Sequence, residues 1–189
     1  MKILVSIFLI ALSFGSCKNA QTQQVAENKS RNENVKAEPV APPRNFNLIK
    51  ENLENAELEV LSWDETEKEK PQHFEKFYIM GFPIFGNKLA KIDDVETKKQ
   101  LLAALYKDVE TGGAQAACFE PQHTLKAKNK DKFIIIAICY KCGKFYGKIS
   151  DRGFESRGQE FGGSIPNKEI SQSLPIFNKI IAEQNIDTK

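Results

Sequence analysis

Beyond Asn45 the apolar positions fall into short, readable periods. Leu48, Ile49, Asn52, Leu53 and Ala56 fall on one side of a helical turn and predict a short helix. Leu58 to Trp63 reads as a strand, and Phe74 to Met80 as a second, aromatic-rich one, broken at Gly81-Phe82-Pro83. Ile84 to Ile92 predicts a third strand, bent at Gly86. A longer helix follows, from about Asp94 to Val109. Val95, Leu102, Leu105, Tyr106 and Val109 form its apolar stripe, Asp93 is placed to cap it with Glu96 completing a capping box, and Gly112-Gly113 ends it.

The second half is more regular. His123, Leu125 and Ala127 alternate with Thr124, Lys126 and Lys128, the signature of a half-buried strand. A turn at Asn129-Lys130 leads into Phe133 to Cys139, which is almost continuously apolar and is expected to be a central strand covered on both faces. A turn at Cys142-Gly143 precedes a further strand, Lys144 to Ser150. Arg152 to Gly163 reads as a glycine-rich connection, and a last helix starts near Ser173, which can cap it while Pro175 sits in the first turn. The expectation is an α+β fold: an antiparallel β-sheet with two amphipathic helices packed on one face.

The first 45 residues obey a different pattern. Ile3 to Phe14 is apolar apart from Ser6 and Ser13, too short to span a bilayer and the right size for the core of a signal peptide behind Met1-Lys2. Gly15, Ser16 and Cys17 follow. Phe14-Gly15-Ser16-Cys17 resembles the lipobox of bacterial membrane lipoprotein precursors, with Phe14 where leucine is usual. The resemblance covers the first 17 residues. It implies a diacylglyceryl thioether on Cys17, cleavage before it and acylation of the new amine, and so a chain held in the bacterial cell envelope. Lys18 after the cysteine favours the outer membrane over the inner in lipoproteins of the enterobacterial type. Several acyl chains together hold a protein firmly, each buried CH₂ contributing about 0.8 kcal/mol.

Residues 18–45 are rich in Asn, Gln, Glu, Lys and Ala, with Pro39, Pro42 and Pro43 near the end. Such a segment cannot offset its ordering entropy. As a flexible coil it would span on the order of 30 Å. The organisation read from sequence is therefore a signal peptide over 1–16, a lipidated Cys17 with its tether to residue 45, and one α+β domain over 46–189.

Composition adds mainly exclusions. The chain has 189 residues, 41% hydrophobic and 28% charged, as an ordinary globular protein does. Its net charge is +2, from 27 basic and 25 acidic side chains, so no global field attracts nucleic acid. Lys126, Lys128, Lys130 and Lys132 read as a solvated hairpin face. No metalloprotease helix, nucleophile elbow, phosphate loop or dinucleotide fingerprint occurs. The expectation is a non-enzymatic binding or interaction module, its partner an envelope protein or a small ligand.

Three cysteines remain beside Cys17. If the hairpin turns at Asn129-Lys130, Cys139 lies opposite Glu120 and Cys142 opposite Ala117, with Cys118 between them. The three sulfurs then meet at one end of the hairpin even after a slip of two residues. Three arrangements fit. A disulfide from Cys118 to Cys139 or Cys142 would leave one thiol and, closing a loop of about 20 residues, stabilise by roughly 3 kcal/mol. A Cys₃His set of Cys118, His123, Cys139 and Cys142 would suit zinc. A redox pair at Cys139 and Cys142 is the third, although redox Cys-x-x-Cys pairs normally open a helix and this one ends a strand. The run Cys118-x-x-Pro121-x-His123 followed by Cys139-x-x-Cys142 resembles a pattern of small bacterial proteins, a likeness that implies no particular activity.

Overall fold

A strand apolar at successive positions needs cover on both faces, and the chain supplies two different covers. The computed structural model describes residues 46–63 and 75–184, all within the compact unit Glu38–Lys189. The expected signal peptide, the lipidated Cys17 and the tether over 18–45 lie outside the described residues.

The described elements are α1 (Phe46–Glu54), β1 (Glu57–Ser62), β2 (Glu75–Ile79), β3 (Phe82–Gly86), β4 (Lys88–Ile92), α2 (Val95–Thr111), β5 (His123–Asn129), β6 (Lys132–Cys139), β7 (Lys144–Ser150), β8 (Gln159–Ser164) and α3 (Ser173–Gln184). Six strands form one antiparallel sheet in the order β4-β1-β5-β6-β7-β8, and β2-β3 is a separate hairpin. The expected α+β class holds, with helices on one face of an antiparallel sheet.

Side-chain parity along each strand decides which cover it meets. Leu58, Val60, Leu125, Ala127, Ile134, Ile136, Ile138 and Phe145 point to the helices, packing with Phe46 and Leu53 of α1, Leu101 and Leu105 of α2 and Phe177 of α3. Leu61, Ile135 and Ala137 point the other way and pack against Phe77, Ile79 and Ile84 of the hairpin. β6 is the central strand the sequence led us to expect, buried on both sides.

Several boundaries differ from the sequence expectations, each for a local reason. The run Ile84–Ile92 is two strands in two sheets, because the chain leaves the hairpin at Gly86 and pairs anew with β1 from Lys88. A Cβ at Gly86 would collide with the Leu61 side chain, so only glycine lets the hairpin close down there. Gly81-Phe82-Pro83 does not break the region. Met80 and Gly81, at φ 50° and 80°, form the two-residue turn that joins Ile79 to Phe82.

The glycine-rich stretch after Arg152 contains β8, and glycines on β8 and its neighbour β7 make room for each other's rings: a Cβ at Gly162 of β8 would meet Tyr146 of β7, and one at Gly147 of β7 would meet Phe161 of β8. The β5–β6 turn is Lys130-Asp131, pairing Asn129 with Lys132, one residue later than expected.

Asp94, not Asp93, caps α2, accepting from the Thr97 amide at 2.6 Å. Glu96 instead accepts from Gln100 one turn on. α3 is capped by Ser171, whose hydroxyl accepts from the Leu174 amide, while Ser173 is turned inward. Lys126 is not on a solvated face. It is buried beneath the hairpin, paired with Glu59 at 3.0 Å and Glu75 at 2.8 Å, with its ammonium 5.0 Å from the Phe154 ring centre.

Candidate functional site

The β6–β7 connection is the turn Tyr140–Gly143, between the paired residues Cys139 and Lys144. Gly143 has φ 64°, a left-handed conformation that suits glycine, and the Ala114 carbonyl occupies the place a Cβ would take. The Cys142 amide donates to the Cys139 carbonyl at 3.1 Å and lies 3.2 Å from the Cys139 sulfur. This tight turn brings the two Cα atoms to 5.1 Å, and the two residues are joined as a disulfide.

The irregular connection from α2 to β5 runs past this turn. The Ala116 amide donates to the Cys142 carbonyl at 2.9 Å, and two residues on Cys118 places its sulfur 3.8 Å from that of Cys142. Cys118 is half-buried and carries a free thiol, whereas Cys139 and Cys142 are each 1% exposed. The convergence of three sulfurs expected from the hairpin register is present. The expected disulfide from Cys118 is not: the bond joins Cys139 to Cys142, the two cysteines that the redox arrangement paired, and Cys118 is bonded to neither. The turn holds Cys139 and Cys142 at bonding separation.

His123 does not join the cluster. It pairs with Ile138 across the sheet and shares the parity of Leu125, so its ring enters the helix-covered face. Cys139, one residue beyond Ile138, points to the opposite face with Ala137. The His123 ring stacks on Phe177 with centres 5.5 Å apart, lies 6.0 Å from Tyr140, and has Ser62 Oγ 3.3 Å from Nδ1. Burial pushes its pKa down to about 4, opposed by a hydrogen bond with Asn178. The proposed Cys₃His zinc set is therefore not assembled. Two of its sulfurs are in a disulfide and its imidazole is across the sheet. Among the described residues no group of three or more His, Cys, Asp or Glu side chains is arranged to hold a metal.

The sulfurs adjoin an aromatic surface on the hairpin side. Phe119, next to Cys118, packs on Tyr146 of β7 with ring centres 4.5 Å apart, and Phe82 lies 5.5 Å from Phe119 and stacks on Tyr146 at 5.8 Å. Phe82 remains 41% exposed, Met80 45% and Tyr78 57%. The Met80 amide donates to Glu160 of β8 at 2.7 Å, tying the hairpin tip to the sheet edge.

A polar cluster that sequence reasoning missed lies under the helices. Asp108 of α2 is buried and accepts from the Ser171 and Ser173 hydroxyls at 2.7 and 2.5 Å and from the Gln172 and Ser173 amides at 2.9 and 3.0 Å. Tyr140 in turn donates to Ser173 Oγ at 2.6 Å, and burial raises its phenol far above the usual range. The signal was present: Leu101, Leu105 and Asp108 follow helical spacing, which puts an acid on the buried stripe. With every donor supplied by the start of α3, Asp108 acts as a structural clamp. No protein-family model, curated protein or solved structure matches this chain.

Proposed function

We propose that this chain is a lipid-anchored protein of the bacterial cell envelope whose domain is a non-enzymatic interaction module, meeting a polypeptide partner at the tip of the β2–β3 hairpin. The anchor rests on the lipobox resemblance at Cys17. One observation carries the contact surface. Among the described residues six large apolar side chains are exposed, and three of them, Tyr78, Met80 and Phe82, fall within five positions at this tip. Scattered exposed apolar residues are ordinary, but a cluster that continues into a packed aromatic set is what partner surfaces are made of. Tyrosine, methionine and phenylalanine favour a polypeptide, because they present apolar area with few rotatable bonds or adapt to irregular partners.

The test uses the intact chain in its own membrane, with a photo-reactive phenylalanine analogue at position 82 and, separately, at the distant exposed position of Val95. A discrete protein adduct from position 82, reduced at least about tenfold by Tyr78→Ser with Met80→Ser, is expected for a contact worth about 1.4 kcal/mol or more. Adducts only to lipid, or equal yields at both positions, would overturn the contact surface. The anchor is tested by fatty-acid labelling, which Cys17→Ser should abolish; unchanged labelling refutes it.

A further inference from the structure

We propose that Cys118, Cys139 and Cys142 form a disulfide with two positions, in which the Cys118 thiolate attacks Cys142 Sγ, makes a Cys118–Cys142 bond and releases Cys139. The geometry that carries this is the pair of facing sulfurs. Cys118 Sγ is 3.8 Å from Cys142 Sγ, and Cys142 is one half of an existing disulfide. Thiol–disulfide exchange proceeds by attack of a thiolate on a disulfide sulfur, at a rate set by the thiolate fraction, the leaving thiol and access to the attacked sulfur. The step balances by itself. Cys118 gives its proton to solvent, one sulfur–sulfur bond breaks as another forms, and Cys139 leaves as a thiolate that takes up a proton. No oxidant or reductant is consumed.

Two further observations give the exchange a direction of entry and a stabilised leaving group. The half-buried Cys118 is the thiol open to solvent, and its two companions are sealed at 1% exposure, so the reaction is confined to this trio and begins at Cys118. The departing Cys139 sulfur already has the Cys142 amide 3.2 Å away, and a hydrogen bond to a thiolate is stronger than one to a disulfide sulfur.

The two positions differ in what they restrain. The Cys139–Cys142 bond spans a sequence separation of 3 and closes a turn that the backbone already closes. A Cys118–Cys142 bond would span 24 residues and staple the α2–β5 connection, with Phe119 in it, to the β6–β7 turn. Exchange would thereby lock or release one member of the Phe82–Phe119–Tyr146 surface. That consequence rests on the contact surface proposed above; the exchange itself does not.

Disulfide mapping of the full-length protein tests it. The purified protein is incubated without reductant at pH 6, 7 and 8, quenched in acid to stop exchange, digested with pepsin at low pH and mapped by mass spectrometry. Wild type is expected to give both Cys139–Cys142 and Cys118–Cys142 linked peptides, approaching their final ratio faster at higher pH because the thiolate is the attacking species. Cys118→Ser should give the Cys139–Cys142 linkage alone. Cys139→Ser, oxidised with glutathione disulfide, should give Cys118–Cys142. Wild type yielding the Cys139–Cys142 linkage alone at every pH overturns the proposal, whatever the variants do. Because that arm uses the unmutated chain, a variant that misfolds cannot obscure it, and its outcome is independent of the crosslinking at position 82.

Discussion

The two faces of the six-stranded sheet are built from the same strands and are covered by different chemistry. On the helix side, β5 and β6 present Leu125, Ala127, Ile134, Ile136 and Ile138 to three helices, and the polar groups there, His123 and Asp108, are fully engaged. On the hairpin side, the alternate residues of the same strands include Lys126, a cation held between Glu59 and Glu75, and the Cys139 sulfur, and the cover is a two-stranded hairpin that leaves its tip open. The helix side holds the larger of the two apolar clusters. The hairpin side has a smaller apolar cluster and carries in addition a thiol, a disulfide and exposed rings. A one-residue alternation is enough to separate the two roles.

The helix layer is most sensitive at Phe177. This ring is completely buried and stacks on His123, so Phe177→Ala should cost about 3–5 kcal/mol in urea unfolding. A loss under about 1 kcal/mol would mean that the helix layer is not the stabilising one.

Acid tests the same face. His123 has a folded-state pKa of about 4 against an ordinary value near 6.5, so the unfolded chain binds the proton more readily. Its contribution to stability is fully present above pH 6.5 and is lost as pH falls from there through 4, by up to about 3 kcal/mol. His123→Gln should flatten the stability profile across that window; an unchanged slope would show that other groups cause it.

The hairpin side should respond less. Lys126→Met leaves Glu59 and Glu75 facing an apolar side chain, but both carboxylates reach solvent, so the cost is about 1–2 kcal/mol. Adding Glu59→Gln and Glu75→Gln should recover most of it, and the recovery is read from the urea midpoint. Phe82→Ala should be smallest, at about 1 kcal/mol, because the residue is 41% exposed. A larger loss would make the tip part of the core and weaken its reading as a contact surface.

Much of this was legible in the sequence where periodicity is strong. The unbroken apolar run Phe133–Cys139 marked β6, the helical stripe from Leu102 to Val109 marked α2, and counting back from the β5–β6 turn brought the cysteines together. What escaped depended on features without a periodic signal. β8 carries Gly162 where an apolar side chain would mark a strand, and the space there is filled by Tyr146 of the neighbouring strand. The hairpin is cut from β4 by one glycine and a side chain from another strand.

His123 shares the parity of Leu125, which already puts it on the opposite face from Cys139. The disulfide partner followed from a turn conformation, which register counting does not contain. Lys126 could not be recognised as buried until the hairpin was known to cover it.

Strand order has a consequence for the time course of folding. β5 through β8 is a meander in which each strand pairs with its neighbour in sequence, so its contacts form between nearby residues. β1 is inserted between β4 and β5, and its pairing of Ser62 with His123 closes a loop of about sixty residues. Local pairings close quickly and distant ones slowly. The meander, with the Cys139–Cys142 turn inside it, is therefore expected to form before β1 docks. As the chain emerges from its N-terminus, β1 must wait with one edge bare until His123–Asn129 arrives. That interval is when the chain is most open to pairing with the wrong strand.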